Sequence, residues 1–337
     1  MPPAPFEVSD ELDAINISSI PTVRRRLLVT GAAGLIGFHT AKALLARGND
    51  ILNDYYDVKL KQNNLDWFSS TYGSRVTVYI GDICDQQLVR CVLKVTKAES
   101  IVHLAARSGV RPSIHNPLMY IHANVVVTMV LLDACREFGV KKFVYASSSS
   151  VYGGPLSVED IVDFPVSPYA ATKKSCELLA HTYHHLHGMD TIGLRFFTVY
   201  GPRGRPDMAP FKFMDRIARG VAIDQHGDGS SSRDYTFIDN IVQGVVLSLE
   251  HGRGCEVFNL GRGSPTLLTD FISIIERLVG KKANINIMPN QPGDVPRTSA
   301  DISKAEKLLG YKPTNSLEQG LAKTWEWYSE FYNAMAM

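Results

Sequence analysis

Tyr169 and Lys173 stand four residues apart in the stretch SPYAATKK. On a helix that spacing puts both side chains on one face. A phenol with an unperturbed pKa near ~10 is a poor base at neutral pH. A lysine ammonium held beside it stabilises the phenolate, and a positive ring nearby would do so further. The serine run Ser147–Ser150 closes the apolar segment KFVYA and supplies hydroxyls at the end of an expected strand. Much earlier, Gly31, Gly34 and Gly37 recur every three residues in GAAGLIG. The first glycine permits a tight turn, the second lets a diphosphate approach the backbone, and the third lets a helix pack closely on a strand. The helix opened there offers free N–H groups, around Leu35 and Ile36, and the positive end of its dipole to an anion. A proton-abstracting pair and a phosphate cradle are therefore the chemistry to be positioned.

A dinucleotide site of this kind also expects an acid about 20 residues further on, to hold the adenosine ribose. Asp50 and Asp54 lie 19 and 23 residues after Gly31, and either could serve. Between Gly48 and these acids only Ile51 and Leu52 are apolar, so the second strand is expected to be truncated. Asp82 and Ile83 follow the next strand; they either hold adenine or simply close a strand-end turn. Ala105 and Ala106 end the fourth strand, where small residues let a cofactor lie against the backbone.

The elements that must position these residues alternate. Strands are expected at 26–30, 76–80, 101–104, 142–146, 191–196 and 256–260, and helices at about 35–47, 85–96, 117–138, 169–187, 209–219 and 239–251. Interleaving of this kind predicts an α/β fold with a doubly wound parallel sheet. Residues 262–337 read as a smaller helical cap with a short extended piece near 284–288. Residues 1–25 carry no apolar period and read as a flexible leader.

Composition narrows the class. With 337 residues the chain can bury about three quarters of its unfolded surface. It has 35 basic and 34 acidic residues, so it carries no global charge that would favour nucleic acid or an anionic membrane. No run is expected to approach the ~20 apolar residues of a membrane span, and the arginines near residue 25 come last, unlike a signal peptide. Five cysteines without paired spacing argue against a disulfide scaffold and a zinc site and fit a reducing, cytoplasmic setting. The histidines of HTYHHLHG (181, 184, 185 and 187) have no carboxylate or cysteine partner in sequence and read as an exposed helix face; no metal is expected.

From about Arg26 to Tyr332 the motifs GAAGLIG, HLAA, SSSSVYG, SPYAATKK, LRFFTVYGPRGRPDMA and SRDYTFID resemble, in order, those of the extended short-chain dehydrogenase/reductases. NDYYDVKLK, AARSGVR and FTVYGPRGRPDM are similar to the UDP-glucuronate 4-epimerases among them. The resemblance implies a Rossmann-type domain over 26–200 with 236–262 returning to it, and a nucleotide-sugar-binding domain from 201–235 and 263–337. It implies NAD as cofactor and a UDP-sugar as substrate. It gives Ser148, Tyr169 and Lys173 the catalytic roles and brings Phe196, with Phe197, to the nicotinamide. Ser149, Ser150, Thr198 and Arg205 would surround a sugar carboxylate, Arg233 would meet the UDP phosphates, and Asp294 would bind the uridine ribose. By the same analogy the helices at 117–138 and 169–187 would form a four-helix bundle in a homodimer.

The implied reaction inverts C4 of UDP-glucuronate through a transient 4-keto sugar that turns about the diphosphate. A 4,6-dehydratase would be expected to carry Asp-Glu after the catalytic hydroxyl, and a decarboxylase a Glu there; Ser149 and Ser150 occupy those positions. UDP-glucose remains an alternative substrate, because Arg205 is the main argument for a charged sugar. A non-catalytic nucleotide-sugar binder is a third reading, motivated by the short second strand, by the abbreviated stretch GPLSVED, and by Arg297 on the expected UDP side.

Overall fold

Five-residue β1 (Arg26–Thr30), RLLVT, is buried along all but its first residue, as are β4 (Ser100–His103), most of β5 (Lys142–Ser148) and β6 (Asp190–Phe196). Continuous apolar runs of this kind suit parallel strands covered on both faces. In the computed structural model, which describes residues 25–47, 50–53, 58–152, 160–204, 208–290 and 295–335, these strands join β2 (Asp50–Asn53) and β3 (Val76–Val78). A seventh strand, β11 (Cys255–Leu260), completes the sheet. Its order is β11-β6-β5-β4-β1-β2-β3, with every pairing parallel. The order reverses between β1 and β4, which creates a crevice at the carboxyl edge.

Because successive strand residues face opposite ways, the sheet has two cores. Leu27, Val29, Val102, Val144, Ile192 and Leu194 face α1 (Leu35–Ala46) and α9 (Ile238–His251). Leu28, Ile101, Phe143 and Tyr145 face α3 (Gln86–Thr96), α6 (Val127–Phe138) and α7 (Pro168–His187). The remaining helices are α2 (Val58–Tyr72), α4 (Val110–His115), α5 (Pro117–Tyr120), α8 (Ala209–Ala218), α10 (Leu268–Val279), α11 (Ser303–Leu309) and α12 (Leu317–Met335).

Three short sheets carry the rest: β7 (Thr198–Tyr200) with β10 (Tyr235–Phe237), β8 (Ile223–His226) with β13 (Ile285–Met288), and β9 (Ser232–Arg233) with β12 (Thr266–Leu267). Buried Asp234 ties this region together. Its carboxylate accepts from the N–H groups of Arg262, Gly263 and Ala300 at 2.8, 2.8 and 3.1 Å.

The second strand is truncated, in line with the sequence: β2 spans four residues, yet it pairs with both β1 and β3. Two apolar residues suffice because neighbours on both sides supply its backbone partners. One expectation needs correction: the chain contains a helix long and apolar enough to cross a membrane by length and composition. Pro117–Phe138 runs 22 residues, through α5, a π-helical stretch at Ile121–Val126, and α6. Its polar residues His122, Asn124 and Thr128 break any continuous apolar run, so no run of ~20 shows in the sequence. Half of it is buried inside the molecule. The leader to residue 24 lies outside the described residues.

Candidate active site

Gly31 has φ +74° and sits so close to the end of β4 that an added Cβ would fall 2.6 Å from the Ala105 nitrogen. At Gly37 a Cβ would lie 2.1 Å from the Gly31 carbonyl oxygen, so α1 can start this close to the turn only as glycine. Gly34, the N-cap, has no side-chain cap, and no acid occupies the first helical turn. The first N–H groups of α1 are thus left for an anion. This cradle fits the diphosphate of a dinucleotide.

The carboxyl ends of the central strands bring the remaining chemistry to the same place. Ser148 ends β5 opposite Phe196, which ends β6. Ser167 caps α7 by accepting from the Ala170 N–H at 3.1 Å, with Pro168 as the first helical residue. That start places Tyr169 in the first turn, its N–H donating to Ser113 Oγ at 3.1 Å and its ring edge-on to buried Tyr120 at 6.1 Å. One turn on, Lys173 is buried and donates from Nζ to the Ala146 carbonyl at 2.8 Å. Burial pushes the Lys173 ammonium below its ordinary pKa, while Cys176 and Glu177 act the other way. Ser148 Oγ accepts from the Ser150 N–H and donates to Ser150 Oγ, both at 3.2 Å.

One cleft of about 670 Å³ is lined by Gly31, Gly34, Leu35, Ile36, Gly37, Ala105, Ala106, Ser148, Ser149, Ser150, Tyr169, Lys173, Phe196, Phe197 and Thr198. A phosphate cradle, a buried Tyr–Lys pair, a hydroxyl and a polar far end therefore share one cavity. Among proteins of known sequence, the model of the GDP-mannose 4,6-dehydratase family matches residues 28–324. The chain belongs to this family of extended short-chain dehydrogenase/reductases.

A UDP-glucuronate 4-epimerase of Thermodesulfobacterium geofontis is 45% identical over 312 residues, covering 90% of this chain and 96% of that one. The Bacillus cereus UDP-glucuronic acid 4-epimerase, crystallised with UDP-glucuronic acid and NAD, superposes with a TM-score of 0.85 at 38% identity, over 91% of this chain and 100% of that one. A double mutant of the Streptomyces venezuelae dTDP-glucose 4,6-dehydratase DesIV reaches 0.85 at 30% identity, over 92% and 98%.

Not every expected residue of this extended dehydrogenase/reductase reaches the cleft. Asp50 is the first residue of β2, registered with Arg26, the first of β1. It lies at the amino edge of the sheet, about 10 Å of strand from the carboxyl edge that carries the glycine turn. A ribose-binding role for Asp50 is thereby corrected; the sequence offered two acids, and only strand register separates them. Asp54, the other candidate, lies outside the described residues, as do Arg205 and Asp294. Asp82 accepts from the Cys84 N–H at 2.9 Å and so closes its own turn, and neither it nor Ile83 lines the cleft. Arg233, in β9, donates to the carbonyls of Ser232 and Pro296 at 2.9 and 3.2 Å and is also outside the lining. Arg297 forms a bridge to Ser232. All five cysteines are free thiols. Among the described residues no group of three or more His, Cys, Asp or Glu side chains could hold a metal.

The structure adds a polar chain beneath the cleft. Thr30 Oγ1 accepts from the Ala105 N–H at 3.2 Å and meets His103 Nδ1 at 2.7 Å; His103 Nε2 lies 3.4 Å from Thr128 Oγ1. Thr128 donates to the Asn124 carbonyl at 2.7 Å. Asn124, inside the π-helical stretch, brackets the Arg107 backbone and donates to Thr172 Oγ1 at 3.0 Å, and Thr172 donates to the Tyr169 carbonyl at 2.8 Å. The hydroxyl pattern calls for a neutral imidazole that carries its proton on Nε2.

Burial, reinforced by the charge of Lys173, pushes the His103 pKa down to about 3 from an ordinary 6.5. Below pH 6.5 the unfolded chain takes up a proton that the folded chain refuses until about pH 3. Stability therefore falls as pH drops through this window. His103→Asn is expected to flatten the fall in urea midpoint between pH 6.5 and 4; an equally steep fall in the variant removes His103 as its source.

Proposed function

We propose that the chain is an NAD-dependent 4-epimerase of a UDP-sugar, interconverting UDP-glucuronate and UDP-galacturonate. The observation that carries this reading is the single cleft that joins the uncapped glycine turn to Ser148, Tyr169 and Lys173 and ends in small hydroxyls. NAD, when bound, supplies a reversible acceptor for the hydrogen at C4 of the sugar. Tyr169 takes the proton of the 4-hydroxyl, Ser148 shares that hydrogen bond, and the Lys173 ammonium stabilises the phenolate electrostatically. Lys173 is anchored by Ala146, so its charge is fixed before substrate arrives. Phe196 and Phe197 form an apolar wall that excludes water from the reacting centre.

Ser149, Ser150 and Thr198 surround the sugar's carboxylate, with Arg205 as its counter-charge; by the family resemblance Asp294 holds the UDP end, and Arg233 would join it there from just outside the cleft lining. At the sugar end the hydroxyls donate without bulk, which lets the keto sugar turn while UDP stays anchored. No acid stands next to Ser148 to drive elimination. Incubation of purified protein with UDP-glucuronate is expected to give UDP-galacturonate with no net change in NAD. Conversion of UDP-glucose alone would replace the substrate assignment, and the absence of any conversion together with the absence of bound NAD would end the epimerase reading.

The protein is further proposed to work in the cytoplasm as a homodimer. Leu118, Met119 and Ile121 on the 117–138 helix and Leu178 and Leu186 on α7 are exposed, an apolar surface suited to a second copy. Sedimentation as a monomer at micromolar concentration would refute the dimer.

A further inference from the structure

Arg203 has φ +63°, a left-handed backbone that favours glycine. Such a conformation persists where surrounding contacts over-determine it, and here they are specific. The Arg203 guanidinium stacks over the Phe38 ring at 4.5 Å, and Nη1 donates to Asn64 Oδ1 at 2.6 Å. Asn64 is buried in α2, and its Nδ2 donates to the Ala33 carbonyl, within the glycine turn, at 2.9 Å. Phe38 closes the first turn of α1 and packs tilted against Trp67 and Phe68 of α2, with ring centroids 5.2 and 4.9 Å apart. On the neighbouring residue, His39 Nε2 meets the Pro202 carbonyl at 3.1 Å. Arg203, Asn64, Ala33 and Gly34 all line the active-site cleft.

The loop 201–204 leaves β7, whose first residue is Thr198 at the sugar end, and crosses back to the glycine turn. It therefore spans the cleft from substrate side to cofactor side. We propose that Arg203 is a clasp that retains the dinucleotide: through Phe38 and Asn64 it fastens this loop to the glycine turn and puts a positive charge on the cleft wall beside the diphosphate cradle. This rests on the epimerase reading, in which the reduced cofactor must stay in place between the two halves of each turnover. Arg203 is a positioning residue; it takes no part in proton transfer.

The test compares wild type, Arg203→Gly and Asn64→Leu, each passed through gel filtration and then denatured to measure NAD per protomer. Glycine relieves the backbone at position 203, so this variant folds without new strain. Loss of a charge-assisted hydrogen bond and a stacked guanidinium predicts NAD dissociation about ten- to a hundredfold tighter in wild type than in Arg203→Gly. The variant should emerge largely free of NAD and regain turnover when NAD is added, while UDP binding by calorimetry stays close to wild type. Asn64→Leu should move NAD retention in the same direction. If Arg203→Gly keeps its NAD like wild type, the clasp is overturned although the epimerase reading stands. If wild type neither holds NAD nor turns over with it, both fall.

Discussion

Tyr169→Phe is expected to lower kcat by about a hundred- to ten-thousandfold, the range general acid–base groups contribute. The substitution removes only the hydroxyl. The ring keeps its edge-on contact with Tyr120, and the backbone N–H keeps its bond to Ser113 Oγ. Helix α7 keeps its start because Ser167 and Pro168 set it independently of residue 169. The thermal midpoint and UDP affinity should therefore stay near wild type, so lost turnover reports on chemistry. Lys173 cannot substitute for the phenol: it is buried and its Nζ is already committed to the Ala146 carbonyl. A variant that retains more than a tenth of wild-type kcat would take Tyr169 out of its role.

The loss of turnover follows from the Tyr–Lys spacing, the serine run and the family resemblance, all legible without coordinates, whereas the retained fold rests on the Ser167 cap and the Tyr120 contact. Legibility was greatest where one physical constraint acts on one residue. Gly31 and Gly37 are fixed by close approach of backbone to backbone, and sequence spacing announces that directly. The buried strands of the main sheet and most of its flanking helices were likewise announced by their apolar runs, but the 15-residue α2, which carries Asn64, was not. Register was not. Asp50 and Asp54 are equivalent in sequence, and only the pairing of Asp50 with Arg26 shows which end of the strand Asp50 occupies. Contacts between distant segments were also silent: Asn64 and Arg203 are 139 residues apart, and neither type is unusual in its setting. The membrane-length helix was hidden for a different reason, because its polar side chains serve the interior. Asn124 and Thr128 face the network under Tyr169 rather than solvent. Burial of polar groups with satisfied partners leaves no periodic signature.

The second large effect lies one turn beyond Lys173. Glu177 and Arg195 form a bidentate pair at 2.8 Å through both Nε and Nη2, with each side chain only 4% exposed. Burial works against the Arg195 charge, but the hydrogen bonds and charge of Glu177 outweigh it and hold the guanidinium above its ordinary pKa. Glu177 also accepts from Ser147 Oγ at 2.7 Å, and Arg195 reaches the Tyr152 hydroxyl at 2.6 Å, which donates to Asn259 at 2.8 Å. The pair thus fastens α7, which carries Tyr169 and Lys173, to β6, and the Ser147 bond to Glu177 ties the same helix to the end of β5 that carries Ser148. Glu177→Ala would leave a buried guanidinium unpaired, a loss of about 3–5 kcal/mol. The double variant Glu177→Leu/Arg195→Met removes both charges and should recover most of that stability, since apolar replacement of a buried pair is often neutral. It should nevertheless turn over slowly, because Ser147 loses its acceptor and the spacing of Ser148 from Tyr169 is no longer fixed. Denaturant midpoints and kcat measured on the same preparations separate the two effects. A double variant as unstable as Glu177→Ala would refute the desolvation argument, and one that is stable and fully active would show that the pair holds up the fold without positioning the chemistry.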